Sequence, residues 1–251
     1  MSFLRFIFRV FGLLLALFLL LPFVILVIAI TQKTKKRKLN KWVINNWSKT
    51  LCFVCGIKLK IEGKIQENPV FIVANHVSWL DIPVIHSAKL VGFVAKDEIS
   101  KWPILGWIVK SGETLFIARG KHESRKKVLD RIKDRLKQHR SIAVFPEGKV
   151  TDGSHVGRFH RQLMHAAVET ATPIQAIAIK YYNKDGDRNK HVCFIDEENF
   201  LSNVFRILSL PISTAELTFC KTIETEGKSA REVAIKTHQQ VLQALSVNDY
   251  I

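Results

Sequence analysis

The residues best suited to chemistry stand together in Asn75-His76-Val77-Ser78-Trp79-Leu80-Asp81, directly after the apolar run Phe71-Ile-Val-Ala74. His76 and Asp81 are five apart, a spacing that does not share one helix face, where neighbours are three or four apart. His76 is therefore expected in the loop after a strand and Asp81 in the first turn of a helix, with Ser78 as its N-cap. From that turn Asp81 can accept a hydrogen bond from one imidazole nitrogen, leaving the other free to take a proton. This is the orienting half of a serine-hydrolase triad without its serine. The chain has no G-x-S-x-G elbow. The nucleophile implied is then a hydroxyl of the substrate, with the imidazole as general base.

Three further segments could shape such a site. Ile142-Ala-Val-Phe-Pro-Glu-Gly-Lys149 reads as a buried strand ending in Phe145-Pro146-Glu147-Gly148, and strand ends are where α/β sheets bind ligands. Gly148 permits a tight turn whose N–H groups can meet an anion, and Glu147 could hold a neighbouring loop. Lys149 completes no phosphate loop, because G-x-x-x-x-G-K-[ST] is absent. Arg119 closes Leu115-Phe-Ile-Ala-Arg119 and can bind a phosphate bidentately. Thr172-Pro173-Ile174 opens another strand. Cys52 and Cys55 have the spacing of half a zinc site, but Cys193 and Cys220 stand alone, so buried free thiols in a reducing compartment are expected, with no metal.

Elements that could position these groups follow from the apolar pattern. Strands are expected over 70–74, 91–95, 114–118, 142–145, 174–181, 192–195 and 215–219. Between them, Val128, Leu129, Ile132 and Leu136 give 123–138 helical spacing. Ser229-x-x-Glu232 is a capping box that starts a helix running to about Leu245, and 39–55 reads as a helix carrying Trp42 and Trp47. Strands alternating with helices predict an α/β fold, a mixed sheet covered by helices on both faces.

The chain has 251 residues, 38 Lys+Arg against 22 Asp+Glu, and a formal net charge of +16. That excess suits a polyanionic partner, nucleic acid or an anionic membrane. The N-terminus decides for the membrane. Residues 10–30 carry no charge and are long enough to cross a hydrocarbon core of about 30 Å. Pro22 could kink a single span or turn a shallow hairpin within one leaflet. Thr31-Gln-Lys-Thr-Lys-Lys-Arg-Lys38 follows, against only Arg5 and Arg9 on the other side. This asymmetry predicts a membrane-bound protein with its bulk on the cytoplasmic face, the inner membrane if bacterial. Residues 1–38 are expected to form the membrane anchor with its basic flank, and 39–251 the catalytic domain.

Taken together and in this order, N-H-x4-D, the strand ending F-I-x-R, F-P-E-G and the Pro-Ile strand opening resemble the glycerolipid acyltransferase family, 1-acylglycerol-3-phosphate acyltransferases above all. The resemblance covers the N-terminal anchor and about residues 70–182. It implies an α/β sheet behind an N-terminal helical membrane motif, with His76 as general base and Asp81 its orienting partner. It further implies that Arg119 contacts the acceptor's polar head, that Pro146, Glu147 and Gly148 shape the acceptor site, and that Pro173 lies near the donor or the core. The implied reaction moves a fatty acyl group from acyl-CoA or acyl carrier protein, as co-substrate, to a lysolipid hydroxyl, without metal or bound cofactor. Lysophosphatidate is the leading acceptor, giving phosphatidic acid. Some positions depart from the pattern: Gly112 and Glu113 displace the second block's usual glycine, Lys149 follows FPEG, and Ala176 stands for a second proline. Thr151-Asp-Gly-Ser-His-Val156 with Phe159-His160 is similar to a subgroup that includes lyso-ornithine-lipid acyltransferases, so that lipid is the alternative acceptor. Two rivals from other classes are a non-catalytic, membrane-tethered lipid-binding protein and a hydrolase that uses water.

Overall fold

The computed structural model describes residues 2–34, 37–67, 69–101, 114–117, 122–194 and 198–246. Among the described residues seven strands form one sheet: β1 (Ile57–Gly63), β2 (Phe71–Ala74), β3 (Gly92–Lys96), β4 (Leu115–Ile117), β5 (Ile142–Val144), β6 (Ile174–Tyr182) and β7 (Ser213–Phe219). Their order is β1-β7-β6-β2-β5-β3-β4. Only β6 and β7 run antiparallel; the other neighbours are parallel. Central β2 is apolar throughout because both its faces are covered. Ile72 and Ala74 enter one core, Phe71 and Val73 the other.

Helices α3 (Arg37–Val54), α4 (Asp81–Ala88) and α7 (Phe200–Ser209) supply the first core, and α5 (His122–Lys137), α6 (His165–Glu169) and α8 (Ala230–Leu245) the second. The expected mixed sheet with helices on both faces is what forms. On α5 the stripe Val128, Ile132 and Leu136 is buried. The expected capping box is complete at α8, where Ser229 accepts from the Glu232 N–H and Glu232 accepts from the Ser229 N–H.

The N-terminal apolar run makes α1 (Ser2–Leu15) and α2 (Leu21–Thr34), joined by a widened turn over Ala16–Leu20. There the Leu21 N–H reaches back five residues to the Ala16 carbonyl. The wide turn precedes Pro22, whose ring would otherwise clash one turn back. Pro22 therefore neither ends the helix nor turns a hairpin; Phe3–Thr31 is one helical stretch. It is α3 that returns along it: Thr31 hydrogen-bonds Asn40, and Gly12 faces Val54. In turn α3 lies against α4, where Asn45 bonds the Ser87 carbonyl. Towards the sheet, Phe6, Val10 and Leu13 of α1 pack on the first core. Away from it, Phe3, Phe8, Phe11, Leu15 and Phe18 are exposed, and Phe23, Leu26 and Ile30 continue the stripe.

Four details differ from the sequence reading. Residues 192–195 were expected as a strand, but Lys190–Val192 is a single tight turn and Ile195 lies outside the described residues. Val192 and Cys193 are apolar because they plug the first core, not because they pair. Ser78 is not at the N-cap position of α4; its hydroxyl accepts the Leu80 N–H at 3.3 Å, just ahead of the helix. Leu80 occupies that position without a side-chain cap, and the Asp81 carboxylate reaches back to the Val77 and Ser78 N–H groups instead. Strand β1, with its Ile-Lys-Leu-Lys-Ile-Glu alternation, and helix α7 were not expected at all. Of the two tryptophans on α3, Trp42 is exposed and Trp47 packs against the apolar clusters.

Candidate active site

The loop leaving β2 and the first turn of α4 bring His76 and Asp81 together. Nδ1 of His76 lies 2.8 Å from Oδ2 of Asp81. The carboxylate is fully buried, and burying a charge is costly unless donors surround it. Here they do. Oδ2 also accepts the Val77 and Ser78 N–H groups at 2.8 and 2.9 Å, and Oδ1 accepts the Tyr181 hydroxyl at 2.8 Å. The bond to Asp81 fixes the proton on Nδ1. Nε2, left as the basic nitrogen, has no hydrogen bond among the described residues.

Ring packing fixes the imidazole plane. It stacks on Phe145 with centroids 4.0 Å apart and planes 12° off parallel. Phe145 stacks in turn on Phe93 of β3 at 5.8 Å. Adjacent Asn75 locks the loop to β6: its Nδ2 donates to the Ile179 carbonyl, and its Oδ1 accepts the Ile179 N–H.

The turn after β5 clamps the same loop from the other side. Oε1 of Glu147 accepts the His76 N–H at 2.8 Å and Oε2 accepts the Gly157 N–H at 2.7 Å. The Thr151 N–H donates to the His76 carbonyl. A Cβ at Gly157 would meet Oε2 at 2.9 Å, so a side chain there would push the carboxylate away from the N–H groups it accepts. Pro146 takes part through its carbonyl, which accepts the His160 N–H. Gly148 has φ +73°, the left-handed conformation glycine adopts freely. Its N–H donates to the Phe145 carbonyl and so closes the turn. Pro173 lends its carbonyl to the Phe71 N–H, at the start of β2. Arg119, Gly112 and Glu113 lie outside the described residues. Cys52, Cys55 and Cys193 are buried free thiols.

Burial pushes the Glu147 carboxyl up to about 7, against the opposing pull of its two N–H donors. The unfolded chain ionises this group near 4.5, so the folded state binds the extra proton between those values. Stability from this group is thus present at acid pH and lost as pH rises towards 7, by about 3 kcal/mol. Glu147→Gln removes that dependence. Its thermal midpoint, measured against the parent's, is expected to improve progressively from pH 5 to pH 8. Below pH 7 the parent's protonated carboxyl also clamps His76 less firmly, because one oxygen becomes a donor facing an N–H.

Sequence reasoning missed Tyr181, Phe93 and Gly157, and it named Asn75 in the N-H-x4-D motif without giving it a role. For Tyr181 a signal existed. It shares the strand face of Ile177 and Ile179, and a buried phenol needs a hydrogen-bond partner. Nothing comparable flagged Gly157.

Among the described residues, a histidine braced by a buried carboxylate stands on the loop after a central strand of a mixed sheet, an arrangement that could serve as a base in a group transfer. The chain belongs to the acyltransferase family, whose model, described as Acyltransferase, matches residues 56–180. It is 32% identical to the lyso-ornithine lipid O-acyltransferase of Pseudomonas aeruginosa over 84% of this chain and 79% of that protein. It is 26% identical to the 1-acyl-sn-glycerol-3-phosphate acyltransferase of Neisseria gonorrhoeae, over 77% and 76%. Its fold matches the crystal structure of the 1-acyl-sn-glycerophosphate acyltransferase PlsC from Thermotoga maritima, with TM-score 0.74, 20% identity, and coverage of 98% and 95%. The protein is an acyltransferase enzyme, associated with membrane through its apolar N-terminal helix.

Proposed function

We propose that this enzyme transfers a fatty acyl group from a thioester, acyl-CoA or acyl carrier protein, to the free hydroxyl of a lysolipid. The observation that carries the mechanism is the braced imidazole: Nδ1 is held by Asp81, and Nε2 has no hydrogen bond among the described residues. Nε2 takes the hydroxyl proton as the oxygen attacks the thioester carbonyl. The imidazolium formed faces the Asp81 carboxylate. Collapse of the tetrahedral intermediate breaks the C–S bond, and the departing sulfur takes the proton from Nε2. The ester C–O bond is made, and the histidine is neutral again. No covalent enzyme intermediate is required, and the reading involves no metal or bound cofactor. Arg119 is assigned the acceptor's polar head, and Pro146, Glu147 and Gly148 the walls of its site.

For the acceptor, the higher identity to a lyso-ornithine lipid enzyme supports that lipid. The Thr151–Val156 stretch with Phe159-His160 agrees with it. Lysophosphatidate is the second reading, supported by the family pattern at His76, Asp81 and Phe145–Gly148.

Residues 1–38 serve as membrane attachment and 39–251 as the catalytic part. Because α1–α2 lies against α3, and α3 against α4, the apolar stripe runs along the side of the enzyme. That arrangement suits attachment to one leaflet. The cations between Lys33 and Lys41 favour the cytoplasmic one, rich in anionic lipid, rather than nucleic acid.

The test is a membrane-fraction assay with labelled acyl-CoA, offering lyso-ornithine lipid and lysophosphatidate separately, then acyl carrier protein as donor. Transfer to lyso-ornithine lipid alone is the expected result. Transfer to lysophosphatidate alone would select the second reading. Fatty acid released without an acceptor would mean a hydrolase, and no turnover with either donor a binding protein.

A further inference from the structure

Helix α7 has an outer face that the acyl-transfer chemistry does not use. Its inner side buries Asn203, Val204, Ile207 and Leu208. Its outer side exposes Leu201 and Phe205, one turn apart, at 61% and 51%, and Ile212 just beyond the helix at 50%. Exposed large apolar side chains in one row mark an interaction surface when they join a larger patch. These do: Phe205 meets Phe6 of α1 edge to face at 6.0 Å, and Phe3, Phe8 and Phe11 follow on α1, with Phe8 72% exposed.

The two helices are also tied by charge. The Arg5 guanidinium donates to the Ser209 carbonyl at 2.8 Å, and Arg9 donates to the Leu208 and Leu210 carbonyls at 3.2 and 2.7 Å. Arginines of α1 thus satisfy the carbonyls that a helix leaves unpaired at its C-terminus. The first turns of α1 cannot settle into lipid without carrying the end of α7 to the same depth. Beside that end, Lys184, Arg188, Lys190 and His191 line one cleft with Pro211 and Ile212. Asp185 is the acidic residue among its lining. An apolar ridge bordered by cations is the pattern of a surface lying at the headgroup boundary of an anionic bilayer.

We propose that the outer face of α7, with Ile212, is a second lipid-contacting surface, and that the adjoining cleft of Lys184, Arg188 and Lys190 receives the headgroups of anionic phospholipids. The inference rests on the membrane reading of α1 and extends it into the catalytic part of the chain. Its reach is inward as well. From the buried side of α7, Asn203 accepts the indole N–H of Trp79 at 2.9 Å, and Trp79 lies between His76 and Asp81. The lipid-facing helix therefore stands one hydrogen bond from the His76 turn.

The experiment uses the full chain with Cys220→Ser, reconstituted in nanodiscs of phosphatidylcholine with or without phosphatidylglycerol. An environment-sensitive fluorophore is placed in turn at Phe205→Cys, Ile212→Cys, Phe8→Cys and Gln138→Cys, the last at the end of α5 on the opposite face. Doxyl-labelled phospholipid in the disc is the quencher. Loss of fluorescence at positions 205 and 212 comparable to that at position 8, with none at 138, is the expected result. Lys184→Glu with Lys190→Glu should abolish the extra quenching that phosphatidylglycerol gives at position 212. Quenching at position 8 but not at 205 or 212 would overturn the proposal while sparing the α1 reading. No quenching at position 8 would overturn the α1 reading and the proposal together. Protection of position 205 only at more than one chain per disc would show that a second copy covers the face, and would also overturn it.

Discussion

His76→Ala is expected to slow acyl transfer by about 10²–10⁴-fold, the range that general-base catalysis supplies. The Michaelis constants for donor and lysolipid should change little, because the imidazole acts on a proton in flight rather than on bound groups. Folding should survive. The His76 side chain is part-exposed, and its removal forfeits the stack on Phe145, worth about 1 kcal/mol, and one donor to Asp81, which keeps the Val77, Ser78 and Tyr181 donors. Its backbone clamps, the N–H to Glu147 and the carbonyl to Thr151, do not depend on the side chain. The check is a pair of measurements on membranes containing equal amounts of each protein: initial rate with saturating substrates, and thermal midpoint. A variant of normal stability and undiminished rate would remove His76 from the chemistry.

Asp81 should separate into two outcomes according to the replacement. Asp81→Ala strips the acceptor from two backbone N–H groups, a phenol and an imidazole N–H, all at the floor of the site. Each buried donor left unpaired costs about 1–3 kcal/mol, so this variant should lose stability by about 3 kcal/mol or more as well as activity. Asp81→Asn is different. Its amide oxygen can take the place of Oδ2 and serve the Val77, Ser78 and His76 donors. Its NH₂ then faces Tyr181, whose hydroxyl can turn to accept. The tautomer of His76 is preserved, and what disappears is the negative charge opposite the imidazolium. A charge-assisted bond is roughly twice as strong as a neutral one, so the loss should be about 10- to 10²-fold. The corresponding change in a serine-protease triad costs about 10⁴-fold because the tautomer is wrong. Adding Tyr181→Phe leaves the asparagine NH₂ without its acceptor, so the double variant should fall well below Asp81→Asn alone. A full 10⁴-fold loss in Asp81→Asn itself would mean that Tyr181 does not turn.

Much of this was legible because burial leaves its period in sequence. Strand β2 reads as a continuous apolar run, being covered on both faces, and α5 shows its stripe at Val128, Ile132 and Leu136. The capping box at Ser229 is local chemistry and reads directly. Strand β1 escaped because it lies at the sheet's edge, where its outward lysines and Glu62 thin the apolar signal to alternate positions. The segment around Val192 misled for the opposite reason: a loop that plugs a core is as apolar as a strand. In the site, the spacing of His76 and Asp81 foretells a loop followed by a helical turn. What could not be read is long-range. Tyr181 stands 100 residues from Asp81, and only the pairing of β6 beside β2 brings its hydroxyl there. Gly157 matters because of the carboxylate ten residues before it, and no motif spacing announces a missing side chain.

The order in which the chain leaves the ribosome bears on how it can assemble. Strand β7 sits between β1 and β6, and the carbonyls that receive Arg5 and Arg9 belong to residues 208–210. The N-terminal segments meet α3 early, but β1 and the two arginines lack their final partners until residues 208–219 exist. Contacts so far apart in sequence form late, because closing a long loop must precede their reward. During that interval the apolar α1–α2 stretch is exposed and prone to aggregate in water. A bilayer near the site of translation offers it shelter, so the helix that ties the finished enzyme to its membrane also protects the unfinished one.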